Sequence, residues 1–236
     1  MQSNVITLVS MESILYHGSS RIVEHPSKQG GRVHNDFGQG FYCTADIGLA
    51  REWACTEAPS AFVNHYSFEP SYDLKVCDLS SPGFHVLNWL AVLLVNRVFD
   101  TKQDAPAAIK DYIIREFLPD LSGFDVIRGY RADDSYFDYA RSFLDGGLNL
   151  DQLRQAMRLG NLGEQIFLQS EKAFESLVFL TAEPIDKTVY LPQRGQRELR
   201  AREEFHQMKS GPKVFEGIFA LDLYRNKIKN DDARLR

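Results

Sequence analysis

The sequence predicts an α+β fold. Short runs rich in β-branched and aromatic residues recur between helical runs. The helical runs differ in length, and no regular strand–helix alternation of the kind that builds a doubly wound sheet is present. Glycine-punctuated loops separate the runs.

The elements follow in order. Ser13 to Tyr16, after the apolar run Ile6 to Ser10, reads as a strand ending at His17-Gly18. Arg21 to Gly40 carries Pro26, Gly30, Gly31, Gly38 and Gly40 and reads as loop. Phe41 to Thr44 is a β-rich tetrapeptide. Asp46 then opens a helix with Ile47, Ala50 and Ala54 on one face. Asp78 to Ser81 reads as the cap of a second helix carrying Val86, Leu90, Leu93 and Leu94 at helical spacing. Ile109 to Leu118 forms a third, stopped by Pro119. Phe124 to Arg128 suits a buried strand, and Arg131 to Asp134 a polar turn. Helices are read over Tyr136 to Leu144, ending at Gly146-Gly147, and over Leu150 to Leu159, with Asn149 as cap and Gly160 as stop. Gln165 to Gln169 alternates as a strand, Glu171 to Leu177 reads as a helix, and Arg194 to Lys209 as a charged, solvated one. Val214 to Leu223 reads as a last strand. The change of character after Pro184 divides the chain into a main domain over 1–185 and a C-terminal extension over 186–236.

Composition narrows the function classes. The chain has 236 residues, 44% hydrophobic, with 16 Phe, 10 Tyr and 2 Trp, enough to bury a shape-specific core. A net charge of −5 supplies no global field toward nucleic acid or anionic membrane. Three cysteines without CxxC or Cys/His spacing read as buried thiols of a reducing compartment. The start MQSNVITLVSMES lacks the basic and greasy regions of a signal peptide, so a cytoplasmic protein is expected. His65, His85 and His206 show no metal spacing, and no metal is assigned.

Three segments carry the chemistry: Leu15-Tyr16-His17-Gly18-Ser19, Asp36-Phe37-Gly38-Gln39-Gly40-Phe41-Tyr42-Cys43-Thr44, and Gly163-Glu164-Gln165-Ile166-Phe167-Leu168. Singly, each suits an ordinary turn histidine, a glycine-flexed loop or a core strand. Together, Ile14 to Cys55 resembles the catalytic domain of the poly(ADP-ribose) polymerases and their diphtheria-toxin-like relatives. There a strand ending in His-Gly-Ser precedes a donor loop, and Phe-Gly-x-Gly-x-Tyr opens the next strand. A second aromatic follows eleven residues after that Tyr, where this chain has Trp53. The chain is most similar to a largely uncharacterised bacterial, often toxin-like branch with Asp-Phe-Gly-x-Gly-Phe-Tyr-x-Thr before an Ala-x-x-Trp-Ala helix. Ala132-Asp133-Asp134, Gln165 and Glu171-Lys172-Ala173 also fit that branch, and the likeness spans about residues 12 to 180.

The resemblance implies an ADP-ribosyltransferase architecture, a split antiparallel β-sheet core with flanking helices. It also implies mono-ADP-ribosyl transfer from NAD, used as co-substrate. The acceptor would be a macromolecule, protein or nucleic acid, and a cognate antitoxin protein is an expected partner; a membrane is not. Breaking the nicotinamide–ribose bond passes through an oxocarbenium-like transition state, as in glycoside cleavage. Tyr42 and Trp53 would hold the flat nicotinamide cation, a contact of about 0.5–2 kcal/mol. Gly18 would let its peptide N–H and C=O grip the carboxamide. His17 would bind the adenosine ribose with help from Ser19, and Asp36 would join the NAD-contacting set. Many relatives place at the third motif a Glu that stabilises charge on C1′. Here Gln165 takes that position with Glu164 one residue earlier, and a strand turns successive side chains to opposite faces. Gln165 is the expected catalytic residue and Glu164 its alternative; Gln supplies no charge, which favours single transfer, and Gln165→Glu would add charge beside the ribose.

Arg32, His34 and Asn35 lie in the expected donor loop, where pyrophosphate contact competes with plain exposure. Asp133 and Asp134 suit either acid–base work or a helix-capping turn. The rival functions are an NAD glycohydrolase, a catalytically dead NAD- or ADP-ribose-binding module, and a relative of RNA 2′-phosphotransferases. Tyr42 and Trp53 speak against the last.

Overall fold

The computed structural model describes residues 14–98, 104–132, 134–159, 163–210 and 216–235. The chain is α+β, with two sheets among the described residues. The fold divides into two compact units interleaved along the sequence. The first takes residues up to Ser81, then Asp120–Arg131 and Gly163–Gln196; the second takes Pro82–Pro119, Ala132–Leu162 and Arg197 onward.

The first unit contains both sheets. One has the order β1-β3-β7, from Ile14–Ser19, Phe62–Phe68 and Leu177–Pro184, all antiparallel. The other has the order β2-β6-β5-β4, from Phe41–Cys43, Glu164–Leu168, Val126–Tyr130 and Val76–Asp78. Only β4 and β5 run parallel there; β2–β6 and β5–β6 are antiparallel. Leu15, Phe41, Cys43, Tyr66, Phe68, Val76, Val126, Ile166 and Leu168 form one buried cluster joining strands of both sheets. Alternation explains the choice, since each is the inward member of its strand. Helix α1 (Ile47–Ala54) packs with Ala50 and Ala54 against Val63 and Ile185. Gly18 is what lets it approach, because a Cβ there would lie 2.2 Å from the Ala50 carbonyl oxygen and 2.6 Å from the Ala54 nitrogen. Helix α6 (Glu171–Glu175) lies between β6 and β7 and is capped by Ser170.

The second unit is helical: α2 (Val86–Asn96), α3 (Asp104–Phe117), α4 (Asp134–Leu144), α5 (Leu150–Ala156) and α8 (Ala220–Arg225). Its core is aromatic, with Trp89, Tyr112, Phe117, Tyr136, Tyr139 and Phe143 all buried. Helix α7 (Lys187–Ser210) carries the chain from the first unit into the second.

Most sequence expectations hold in kind, but α3 begins at Asp104 rather than Ile109, α7 at Lys187 rather than Arg194, and α5 ends at Ala156 rather than Leu159; Gly160, the expected stop, lies outside the described residues. Asp46 caps α1 by accepting from the N–H groups of Gly48 and Leu49, and Asn149 caps α5 through Gln152. Three readings are corrected. The span Val214 to Leu223 is not a strand: Ala220–Arg225 is helical, its first turn fixed by Asp222 accepting from the Phe219 N–H at 2.9 Å; residues 211–215 lie outside the described ones. Helix α2 starts after His85, not within Asp78–Ser81, because Asp78 belongs to β4. Strands β3, β4 and β7 escaped the sequence reading. In β3 the buried Asn64 interrupts the apolar pattern, and a register shift at His65/Tyr66 blurs the period along β7. All three cysteines are buried free thiols.

Candidate functional site

The sequence-selected residues meet where β1 leaves β2. Tyr16 and Thr44 form a two-way bridge, with N–H···O distances of 2.8 and 2.9 Å. Backbone groups two residues apart on a strand point the same way, so the Gly18 N–H and C=O face the β2 side as those of Tyr16 do. The facing carbonyl, that of Tyr42, is instead taken by the His17 side chain, whose Nδ1 lies 2.7 Å from it. The two strands therefore part at Gly18, and its peptide groups line the gap.

That hydrogen bond fixes the histidine's tautomer. A carbonyl only accepts, so Nδ1 carries the proton and Nε2 presents a lone pair. The ring lies tilted on Phe41, centroids 4.3 Å apart. Burial lowers the His17 pKa to about 4; the Tyr42 carbonyl opposes this, and the Arg21 charge adds to it. His17 is therefore a neutral acceptor at physiological pH. A histidine whose folded pKa lies below its unfolded value binds fewer protons when folded. Its contribution to stability is complete above about 6.5 and is lost as pH falls toward about 4. Thermal midpoints measured from pH 7 to 4 are expected to fall through that window, and to fall less in a His17→Asn protein.

Tyr42 is half-buried, with its ring 4.8 Å from that of Phe167. Its hydroxyl donates to the Gly38 carbonyl at 2.6 Å and accepts from the Phe37 N–H at 3.1 Å. The turn that delivers Phe41 to the sheet is thus tied back to its own strand, with Gly38 at φ 92°. Sequence reasoning valued only the ring of Tyr42. The hydroxyl braces the loop, so Tyr42→Phe is expected to cost about 1–3 kcal/mol of stability, measured as a lower thermal midpoint. Tyr42→Ala should lose the ring contact as well.

The third motif divides by register. Tyr42 pairs with Phe167 and Cys43 with Ile166. Gln165 therefore shares a sheet face with Phe167 and Tyr42, while Glu164 lies on the opposite face with Ile166. Gln165 is buried, and its Nε2 donates to Asp36 Oδ2 at 2.9 Å and to the Tyr130 carbonyl at 3.2 Å. Asp36 is itself buried, so its carboxylate sits in the wall of the site and braces Gln165. Glu164 is one-third exposed and bonds to Arg128 at 2.6 Å. With Thr44, Asp46, Leu49 and Gly163 this pair lines a cavity of about 200 Å³ at the start of α1.

Trp53 lies in the turn of α1 against Gly18, whose Cβ would come within 3.0 Å of its backbone carbon. Ser19 is half-buried and accepts from the Arg21 N–H at 3.3 Å. Arg32 and His34 are exposed, and Asn35 accepts from the Asp36 N–H. Asp133 lies outside the described residues, and the Asp134 backbone opens α4. Asn64 was missed. It is fully buried, accepts from the Val23 N–H at 2.8 Å, and donates to the carbonyls of His17 and Arg21. It holds the backbone of the histidine motif and the loop after it. A polar residue inside an apolar strand was its only sequence signal.

Among the described residues, no helix is long and apolar enough to cross a membrane. Residues 13–179 match the family described as "Protein of unknown function (DUF3990)", and the chain belongs to that family. Neither the curated proteins nor the solved structures contain a match.

Proposed function

We propose that this DUF3990 member is an ADP-ribosyltransferase: it cleaves the nicotinamide–ribose bond of NAD and passes ADP-ribose to a macromolecular acceptor. One observation carries the reading. His17 spends Nδ1–H on the Tyr42 carbonyl at the point where β1 and β2 part, leaving Nε2 as an acceptor beside the free peptide edge of Gly18. That arrangement suits a sugar hydroxyl at one end and a carboxamide at the other.

The two sheets fit the split core of that architecture, and the donors and acceptors present fit NAD. NAD supplies an activated ribose whose C1′–N bond breaks as nicotinamide leaves neutral, and an acceptor O–H or N–H gives up its proton as it bonds to C1′. The chain's own residues hold and orient. His17 Nε2 accepts from a ribose hydroxyl, and Gly18 N–H and C=O pair with the carboxamide. The rings of Tyr42 and Trp53 fix the cleavage end, and Gln165, locked by Asp36, positions the ribose from the Tyr42 face. Fixing reactants in this way accounts for a large share of rate in group transfer.

The test is incubation with NAD labelled in the adenine and a cell lysate, followed by separation of protein, RNA, DNA and small molecules. Label in a macromolecular fraction supports transfer and names the acceptor class. Label only in free ADP-ribose assigns a glycohydrolase, and intact NAD bound to the protein assigns a binding module.

A further inference from the structure

Trp53 combines two features that pull in different directions. The Arg131 guanidinium lies over its ring, 4.7 Å from the centroid. Its indole N–H is buried and has no hydrogen-bond partner among the described residues. A buried unpaired donor is costly and rare. A cation on the ring face has the opposite effect. It gains from the π electrons, but it denies that face to any second cation.

Arg131 follows β5 directly, and its backbone N–H reaches the Gly163 carbonyl at 3.4 Å, next to the start of β6. The backbone is thus anchored at the third motif while a long, flexible side chain reaches Trp53. Arg131 and Trp53 are both half-buried, so the guanidinium has solvent to move into.

We propose that Arg131 is a displaceable cap on Trp53, and so a specificity-determining residue of the site. It covers the aromatic face in the free protein. A cationic ring stacks there only after Arg131 has swung aside. The cap acts on binding rather than on bond cleavage: it raises the affinity threshold for cationic rings and leaves neutral ones less affected. The identification of the incoming ring as nicotinamide rests on the proposed function; the cap does not.

Tryptophan emission tests it, because Trp89 is buried at 2% exposure and quenchable signal comes from Trp53. Arg131→Ala is expected to raise acrylamide quenching. It should also tighten binding of N-methylnicotinamide, a cationic ring without the nucleotide, by about 3- to 30-fold, the range of a cation–π contact. Arg131→Lys, which keeps the charge, should stay near the wild type. Unchanged quenching in Arg131→Ala overturns the cap. So does weaker binding, which would make Arg131 a ligand contact, and so does a probe that binds neither protein. If the probe behaves as expected while no protein cleaves NAD with any lysate, the cap stands and the transferase reading fails.

Discussion

Replacing His17 with Ala is expected to slow nicotinamide release from NAD by about 10²-fold, the loss that follows when a group that positions a bound reactant is removed. The substitution deletes the Nε2 acceptor, the brace on the Tyr42 carbonyl and the ring packed on Phe41. Because the last two are structural, Ala alone would confound ligand contact with folding. His17→Asn separates them. An Asn amide nitrogen reaches about as far as Nδ1 and restores the bond to Tyr42, but nothing replaces Nε2. His17→Asn should therefore recover most of the thermal stability lost in His17→Ala while remaining as slow. An Asn variant that turns over NAD like the wild type rejects His17 as a substrate contact.

The second large effect is expected at Gln165. Gln165→Ala takes one donor from the buried Asp36 carboxylate and opens space beside Phe167. A loss of about 1–3 kcal/mol in stability should accompany a strong fall in transfer. From sequence alone, Gln165→Glu looked activating. The structure argues otherwise, because the new carboxylate would meet Asp36 Oδ2 where the amide nitrogen now lies 2.9 Å away. Two carboxyl groups that close do not both ionise, so one would hold a proton and no net charge would reach the ribose. Glu164→Gln, on the other face and at the rim with Arg128, should cost little by comparison. The reverse pattern, with Glu164→Gln unable to cleave NAD and Gln165→Ala merely less stable, would move the charge-bearing role to Glu164.

How much was legible depended on range. Local signals were read correctly where one residue decides: Asp46 and Asn149 as caps, and the glycine-rich approach to Phe41. The His17, Tyr42 and Gln165 motifs were singled out by their order and spacing together, through the resemblance they carry. What those residues do to one another was hidden. The bond from His17 to Tyr42 spans 25 positions and that from Gln165 to Asp36 spans 129. No local pattern encodes such partners. Strand β7 was hidden for a similar reason: its exposed Val178 and Leu180 give no clean two-residue period, and pairing with β3 is what makes it a strand. Arg131 looked like a turn residue, and only its position over Trp53 gives it a part in the site.

The pairing of β2 with β6 also sets a clock on synthesis. Tyr42 leaves the ribosome long before Phe167, its register partner, and the Asp36–Gln165 bond closes over 129 residues. At ordinary elongation rates that separation is on the order of ten seconds, during which β2 lacks its ladder partner β6. β1 can pair with β3 and bridge to Thr44 early, but β2 waits for the return of residues from Gly163 onward. Loop closure of this length is slow to pay back its entropy, so the sheet holding β2 and β6 is completed late. Truncation before β6 would leave fragments that carry the His17 and Tyr42 motifs but lack Gln165 and its bond to Asp36.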